Sequence, residues 1–223
     1  PMRKDGSCDT RIVEKVLMKI NSFNHDSPKI AIIKSTVPPG TTSKINKACK
    51  NIDVMFSPEF LTEANSFEDF KKQTRIILGG PRPATSIVKT MFRKAFPEIP
   101  IVKTSSNHAE MVKYFINCFL STKVIFANQM FDLCEASGID YDKVCEYALL
   151  DKRIGTSHLA VPGPDGDRGF GGHCFPKDLS AMIAHGKKED TDVRFLQSVQ
   201  RSNDEYRKDR DWEKMKGRAV SED

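Results

Sequence analysis

No CxxC pair occurs in this chain, and no histidine stands at metal-ligand spacing from its cysteines. The six thiols, Cys8, Cys49, Cys118, Cys134, Cys145 and Cys174, therefore indicate neither a metal site nor the framework of a small disulfide-linked domain. Thiols that stay free fit a reducing compartment. Equally absent is any apolar run near the ~18 residues a membrane span needs, and the opening PMRKDGSCDT has no apolar signal core. A cytoplasmic location without membrane contact is the expectation. Because the chain begins with Pro1, upstream residues are expected as well. Charge is not concentrated either. A formal net charge of +5 arises from 35 Lys and Arg against 30 Asp and Glu, with no arginine stripe, zinc spacing or aromatic platform. No nucleic-acid partner is expected, whereas phosphate-bearing small molecules suit such a surface.

The 223 residues, 39% hydrophobic and 29% charged, suit one or two globular domains with a sizeable core. Ile12, Val13, Val16, Leu17 and Ile20 recur at helical spacing over 10–23. Short β-branched runs at 29–35, 53–57, 75–80 and 99–103 read as strands, and helices are expected at 41–50 and near 84–95. Strand and helix alternate, so a parallel sheet built from βαβ units is expected through residue 104. From 107 to 137 there is neither Gly nor Pro, which predicts one long helix of about 45 Å ending at Gly138. Its apolar residues, Phe115, Phe119 and Phe126 among them, occupy more than one stripe, as a homodimer interface would require. Further helices are expected at about 140–150, 177–187 and 192–207, followed by a polar tail that frays. The division is thus 1–104, 105–208 and 209–223.

One stretch calls for chemistry. RGFGGHCFPKDLSAM, 168–182, sets Cys174 between a glycine run and the Lys177-Asp178 pair that opens a helix. A reactive thiol needs such access, a helix N-terminus or a nearby cation, whereas an inert one prefers apolar burial. KSTVPPG and FSPEFLTE follow predicted strands, where open α/β sheets bind ligands, so Thr36, Glu59 and Glu63 can face one crevice. Equally, Ser35 and Thr36 can merely cap a turn and the glutamates lie on a solvated loop. The glycine fingerprint GxGxxG of a dinucleotide site is missing: Gly79-Gly80 is too short, and Gly169, Gly171 and Gly172 have the wrong spacing. The fold class expected is α/β, the second half of a Rossmann-like parallel sheet followed by an all-α domain with one long helix.

Four segments, KSTVPPGTT, FSPEFLTEAN, AEMVKYFINCFLSTKVIFANQM and VPGPDGDRGFGGHCFPKDL, together resemble the nucleotide-sugar 6-dehydrogenases of the UDP-glucose/GDP-mannose dehydrogenase family. CFPKD is most similar to the UDP-glucose branch, ahead of branches acting on GDP-mannose or N-acetylated sugars. The resemblance implies NAD as cofactor, UDP-glucose as substrate, and two oxidations to the acid through a thioester on Cys174. It implies Lys113 and Asn117 as oxyanion stabilisers, and Asp178 as the group that orders water or accepts a proton. Glu63 would activate the hydrolytic water, with Thr36 and Glu59 in its network. Substrate contacts fall on Phe60, Leu61, Thr62, Arg153, Phe170, Gly171 and Gly172. Cofactor contacts fall on Ser35, Thr36, Glu63, Cys174 and Lys177. Relatives carry a glycine fingerprint and a third domain beyond these segments, so a partial chain, inactive alone, is expected. A non-catalytic dimerising scaffold is the reading from another class.

Overall fold

The computed structural model describes residues 1–23, 27, 29–61 and 65–222. They form two compact units, Asp9–Phe115 and Pro1–Cys8 with Ile116–Asp223.

The first unit runs α1 (Arg11–Asn21), β1 (Lys29–Ile33), α2 (Thr41–Ala48), β2 (Ile52–Phe56), α3 (Ser66–Lys71), β3 (Ile76–Gly79), α4 (Ala84–Ala95) and β4 (Ile101–Thr104), and then enters α5 (Ser106–Ala136). The sheet order is β1-β2-β3-β4. Period-two alternation deals its side chains to two layers. Val54, Phe56 and Ile77 pack with Leu17 of α1, Ile45 of α2 and Ala109 of α5, while Met55, Ile76 and Leu78 pack with Val88 of α4. Both faces of β2 and β3 are covered, which is why their residues are apolar apart from Asp53.

The sheet is not parallel throughout. β1 and β2 pair in parallel from Lys29↔Ile52 to Ile33↔Phe56, as do β3 and β4, but β2 meets β3 antiparallel, at Phe56↔Gly79. A parallel return needs a crossover helix packed on the sheet. The helix between β2 and β3 is the six-residue α3, which has no buried residue. β3 therefore comes in from the opposite end, and the two strands touch at their carboxyl tips. At that point Gly79 is required, since a Cβ there would stand 2.6 Å from the Cβ of Ala109 and 2.8 Å from the Ser105 carbonyl.

In the second unit α5 ends as its sequence predicts. Gly138 takes φ +67°, its N–H bonds the Glu135 carbonyl and the Ile139 N–H reaches back to Cys134, a left-handed C-terminal lock. α6 (Tyr141–Ala148), α7 (Phe175–Lys188) and α8 (Arg194–Tyr206) follow. Asp140 caps α6 by accepting from the N–H groups of Asp142 and Lys143. Cys118, Ile125, Phe170, Leu179, Ile183 and Val199 form one core, and Ala127, Cys134, Tyr141 and Val161 a second. The tail expected to fray is packed instead: Asp211–Lys214 is a 3-10 turn, and Trp212 and Ala219 are buried. Burial of one indole outweighs the polar composition around it. Among the described residues no helix is long and apolar enough to cross a membrane, and no cluster of His, Cys, Asp and Glu is placed to hold a metal ion.

Candidate active site

In the first unit the loop after β1 carries Ser35, exposed, and Thr36, half-buried, and is anchored by buried Val37. Gly40 ends it at φ +92° and opens α2. The orphan amides of that helix start are satisfied from α5. Fully buried Glu110 accepts the Gly40 N–H on Oε2 at 2.7 Å and the Thr42 N–H on Oε1 at 2.8 Å. A carboxylate is the natural partner of a helix N-terminus. Burial pushes the Glu110 carboxyl above the usual range, and its bonds to Thr42 and Gly40 only partly pull it back.

The loop after β2 brings Glu59 and Phe60 to Lys113. The Lys113 Nζ donates to the Glu59 carbonyl at 2.6 Å and stands 5.6 Å from the Phe60 ring centroid. Arg75 stacks on the same ring at 4.3 Å. Lys34 reaches the Glu59 carboxylate at 3.6 Å and the Ser57 hydroxyl at 3.4 Å. Burial holds the Lys34 ammonium below the usual lysine range; Glu59 opposes the shift, and Lys113 adds to it. Lys34, Glu59, Phe60, Leu61, Gln73 and Arg75 line a cavity of about 290 Å³. Thr62 and Glu63 lie outside the described residues.

In the second unit Cys174, half-buried, is the N-cap of α7, one residue before the helix and not in its flank. The first turn then delivers Lys177 and Asp178. Asp178 is 1% exposed and is held between the Lys177 Nζ at 2.5 Å and the Asn117 Nδ2 at 2.5 Å. Burial pulls the Lys177 ammonium down, but Asp178 first, then Cys174 and Cys8, lift it above the ordinary lysine range. A cation fixed in the field of a thiol at a helix start is the setting that favours thiolate. Cys118 shows the contrast. Burial, with Asp178 adding to it, pushes its thiol up to about 12, so that sulfur stays protonated and serves as core.

The structure thus joins Asn117, Lys177 and Asp178 at the start of Cys174's helix, and separately joins Lys113, Glu59 and Phe60. Arg153 is turned to solvent and pairs with Asp151 two residues before it. Sequence reading did not single out Glu110, although it lies one turn before Lys113 on the same helix face, nor Asn128 and Asn203, which hold the glycine run. Asn203 accepts the Phe170 N–H at 2.7 Å and donates to its carbonyl at 3.0 Å, while Asn128 accepts the Gly169 N–H at 3.2 Å. Phe170 packs edge-on against Phe175. Asparagines that bond backbone at long range carry no local signature, so nothing in the sequence marks them.

Comparison with known proteins gives the family and the fold. The sequence profile of the UDP-glucose/GDP-mannose dehydrogenase family, NAD binding domain, matches residues 1–96, and that of the family's central domain matches 107–205. The chain is 34% identical to the UDP-glucose 6-dehydrogenase TuaD of Bacillus subtilis over 93% of its length, and 36% identical to a UDP-glucose 6-dehydrogenase of Rickettsia bellii over 92%. It covers 45% and 47% of those proteins, so it spans about half the length of the curated relatives it matches. Among solved structures it is similar to a UDP-glucose dehydrogenase of Pyrobaculum islandicum, with a TM-score of 0.78 at 32% identity, covering 92% of this chain and 48% of that one. A UDP-D-ManNAc dehydrogenase of Pyrococcus horikoshii shares the fold, with a TM-score of 0.77 at 23% identity, covering 92% of this chain and 48% of that one. The α/β unit that carries Lys113, the helix start at Cys174 and the two matched profiles lead to one conclusion: the chain belongs to the UDP-glucose/GDP-mannose dehydrogenase family.

Proposed function

We propose that this chain is the core of a UDP-glucose 6-dehydrogenase, which oxidises the sugar's primary alcohol to the carboxylate of UDP-glucuronate through a thioester on Cys174. The observation that carries this reading is the cluster at the start of α7, where Cys174 occupies the N-cap position and Asp178 is clamped by Lys177 and Asn117. NAD⁺ supplies the hydride acceptor for both oxidations. The residues present fit only part of that cofactor. The 223 residues hold no GxGxxG turn, and the α2 start that an anion would otherwise use is filled by Glu110.

The sugar's aldehyde is reactive, and a thiol is the side chain best able to trap it near neutral pH. Cys174 sulfur adds to the carbonyl carbon and the carbonyl oxygen takes a proton, giving a thiohemiacetal. Loss of a hydride from that carbon and of the hydroxyl proton leaves a thioester. Water then adds to the thioester carbon and releases the acid and the thiol. Asn117, anchored on Asp178, presents a donor for the developing oxyanion, and Asp178 takes or orders protons at the thiol. Lys113 as the second oxyanion partner, Glu63 as the base for water, and Thr36 and Glu59 as its network are roles that the family resemblance supports. In this reading Ser35 and Lys177 face the cofactor, and Phe60, Leu61, Thr62, Phe170, Gly171 and Gly172 face the sugar nucleotide, with Arg153 reaching a neighbouring subunit's substrate. The enzyme works in the cytoplasm, where six free thiols persist.

Titrating the isotope-labelled chain with UDP-glucose, GDP-mannose and UDP-N-acetylglucosamine, read by amide resonances, tests the substrate assignment. UDP-glucose is expected to perturb Phe60, Leu61 and Phe170–Gly172 at a concentration at least about threefold below the others, a preference of under ~1 kcal/mol. Equal or stronger responses to either competitor overturn it.

The proposed assembly is a homodimer through α5. Phe115, Phe119, Phe126 and Leu133 are 70%, 59%, 58% and 55% exposed, at spacings of 4, 7 and 7 that keep them on one side of the helix. Phe119→Asp is expected to shift a dimer to monomer in sedimentation equilibrium at micromolar concentration. A wild-type chain that sediments as a monomer there removes this part of the proposal.

A further inference from the structure

Beyond the groups expected to touch substrate, we infer that Asp211 and Arg207 are positioning residues that hold the backbone of the nucleophile's loop, through the Gly172 amide directly before His173-Cys174. Asp211 accepts the Gly172 N–H on both carboxylate oxygens, at 3.1 and 3.0 Å. Arg207, its side chain 4% exposed, stands behind that carboxylate, with Nη2 to Asp211 at 3.5 Å. Nη1 of the same guanidinium bonds Asp165 at 2.6 Å, Nε lies 3.5 Å from Asp167, and Nε also donates to the Asp209 carbonyl. Gly171 lies directly on this ion cluster, and a Cβ there would collide with the guanidinium and with Asp211. Only a glycine lets the chain pass that close.

These contacts join three separate segments, the end of α8, the 3-10 turn and loop 163–172, on one short stretch of backbone. Asn203 fixes Phe170 from α8, and Asp211 fixes Gly172. The loop therefore reaches Cys174 with two backbone anchors within five residues. A guanidinium almost fully withdrawn from water and matched to three carboxylates keeps its geometry, because each ion loses its pairing if the loop shifts. Packing of the tail alone would not need a carboxylate aimed at a glycine amide.

The inference rests on Cys174 being the nucleophile, but its test reads the loop and not turnover. Asp211→Ala and the milder Asp211→Asn, which keeps one acceptor oxygen, are compared with the unaltered chain by amide hydrogen exchange and by peptide-resolved alkylation with iodoacetamide. Exchange at Gly172 is expected to quicken on the order of tenfold or more in Asp211→Ala, as loss of a bond to a charged acceptor implies, with Asp211→Asn in between. Cys174 alkylation is expected to rise at least about threefold, a change of under ~1 kcal/mol, while Cys49 and Cys145 keep their rates. If Asp211→Ala unfolds, seen as loss of the near-ultraviolet signal of Trp212, Asp211→Asn carries the test. Faster exchange at Gly172 with Cys174 alkylation unchanged overturns the inference, since Asp211 would then only anchor the tail. So does unchanged exchange at Gly172. Failure of UDP-glucose to bind would leave both readouts intact and count against the substrate assignment alone.

Discussion

In a chain completed to the length of the relatives it matches, replacing Cys174 with serine is expected to lower formation of UDP-glucuronate by roughly 10³-fold or more, with nucleotide-sugar binding kept within about threefold, under ~1 kcal/mol. The loss follows from chemistry. A serine hydroxyl is scarcely ionised near neutral pH, and Lys177, which favours an anion at this position, cannot act as a base while it is protonated. Binding survives because the substituted atom is a single sulfur at the start of α7, while the backbone of Phe170 to Gly172 is held by Asn203 and Asp211. Product assay by mass spectrometry, with calorimetric titration of the sugar nucleotide, separates the two effects. Acid formation at the wild-type rate would remove the thioester from the mechanism.

The second large effect is on stability. Asp178→Ala is expected to reduce the free energy of unfolding by about 3–5 kcal/mol, because deleting one partner of a buried ion pair strands the other. Lys177 would keep its ammonium, 16% exposed, without the carboxylate that neutralises it. Asn117 would lose its acceptor in the core. Asp178→Asn should cost less, since an amide oxygen still accepts from one of the two donors. The folded-state pKa of Lys177 lies above its ordinary value, so its contribution is complete below the ordinary lysine pKa of about 10.4. It is lost only as pH rises through the folded value. Urea unfolding at pH 7 therefore measures the full deficit, and a loss below about 1 kcal/mol would show that the pair is not structural.

The long helix was legible from the sequence because neither Gly nor Pro interrupts it and Gly138 closes it, and the structure places it at Ser106–Ala136. The strands are equally legible as short β-branched runs, most plainly β2 and β3, whose residues are largely buried. Their direction is not legible. Nothing in the run Ile76–Gly79 says from which end it enters the sheet, and that depended on α3 having no face to bury. The sequence places the start of α7 near Lys177, whereas it lies at Phe175, a shift of two residues that puts Cys174 at the N-cap position. The tail departs from the expectation because its polar composition hides one aromatic anchor, Trp212. Among the site residues, those in contiguous runs such as FPKD could be read directly. Glu110, Asn203 and Asp211 act across 30 to 70 residues on backbone amides, and pairing at that range is fixed by the fold.

In the proposed reaction Cys174 traps a sugar aldehyde, and that step needs no cofactor. The chain should therefore be mixed with UDP-6-aldehydo-glucose labelled with ¹³C at C6 and observed by carbon NMR. The expected result is a new tetrahedral C6 resonance, distinct from the aldehyde hydrate, that appears with the wild-type chain and is absent with Cys174→Ser. A spectrum showing only aldehyde and hydrate, or the same adduct in the serine variant, would contradict it.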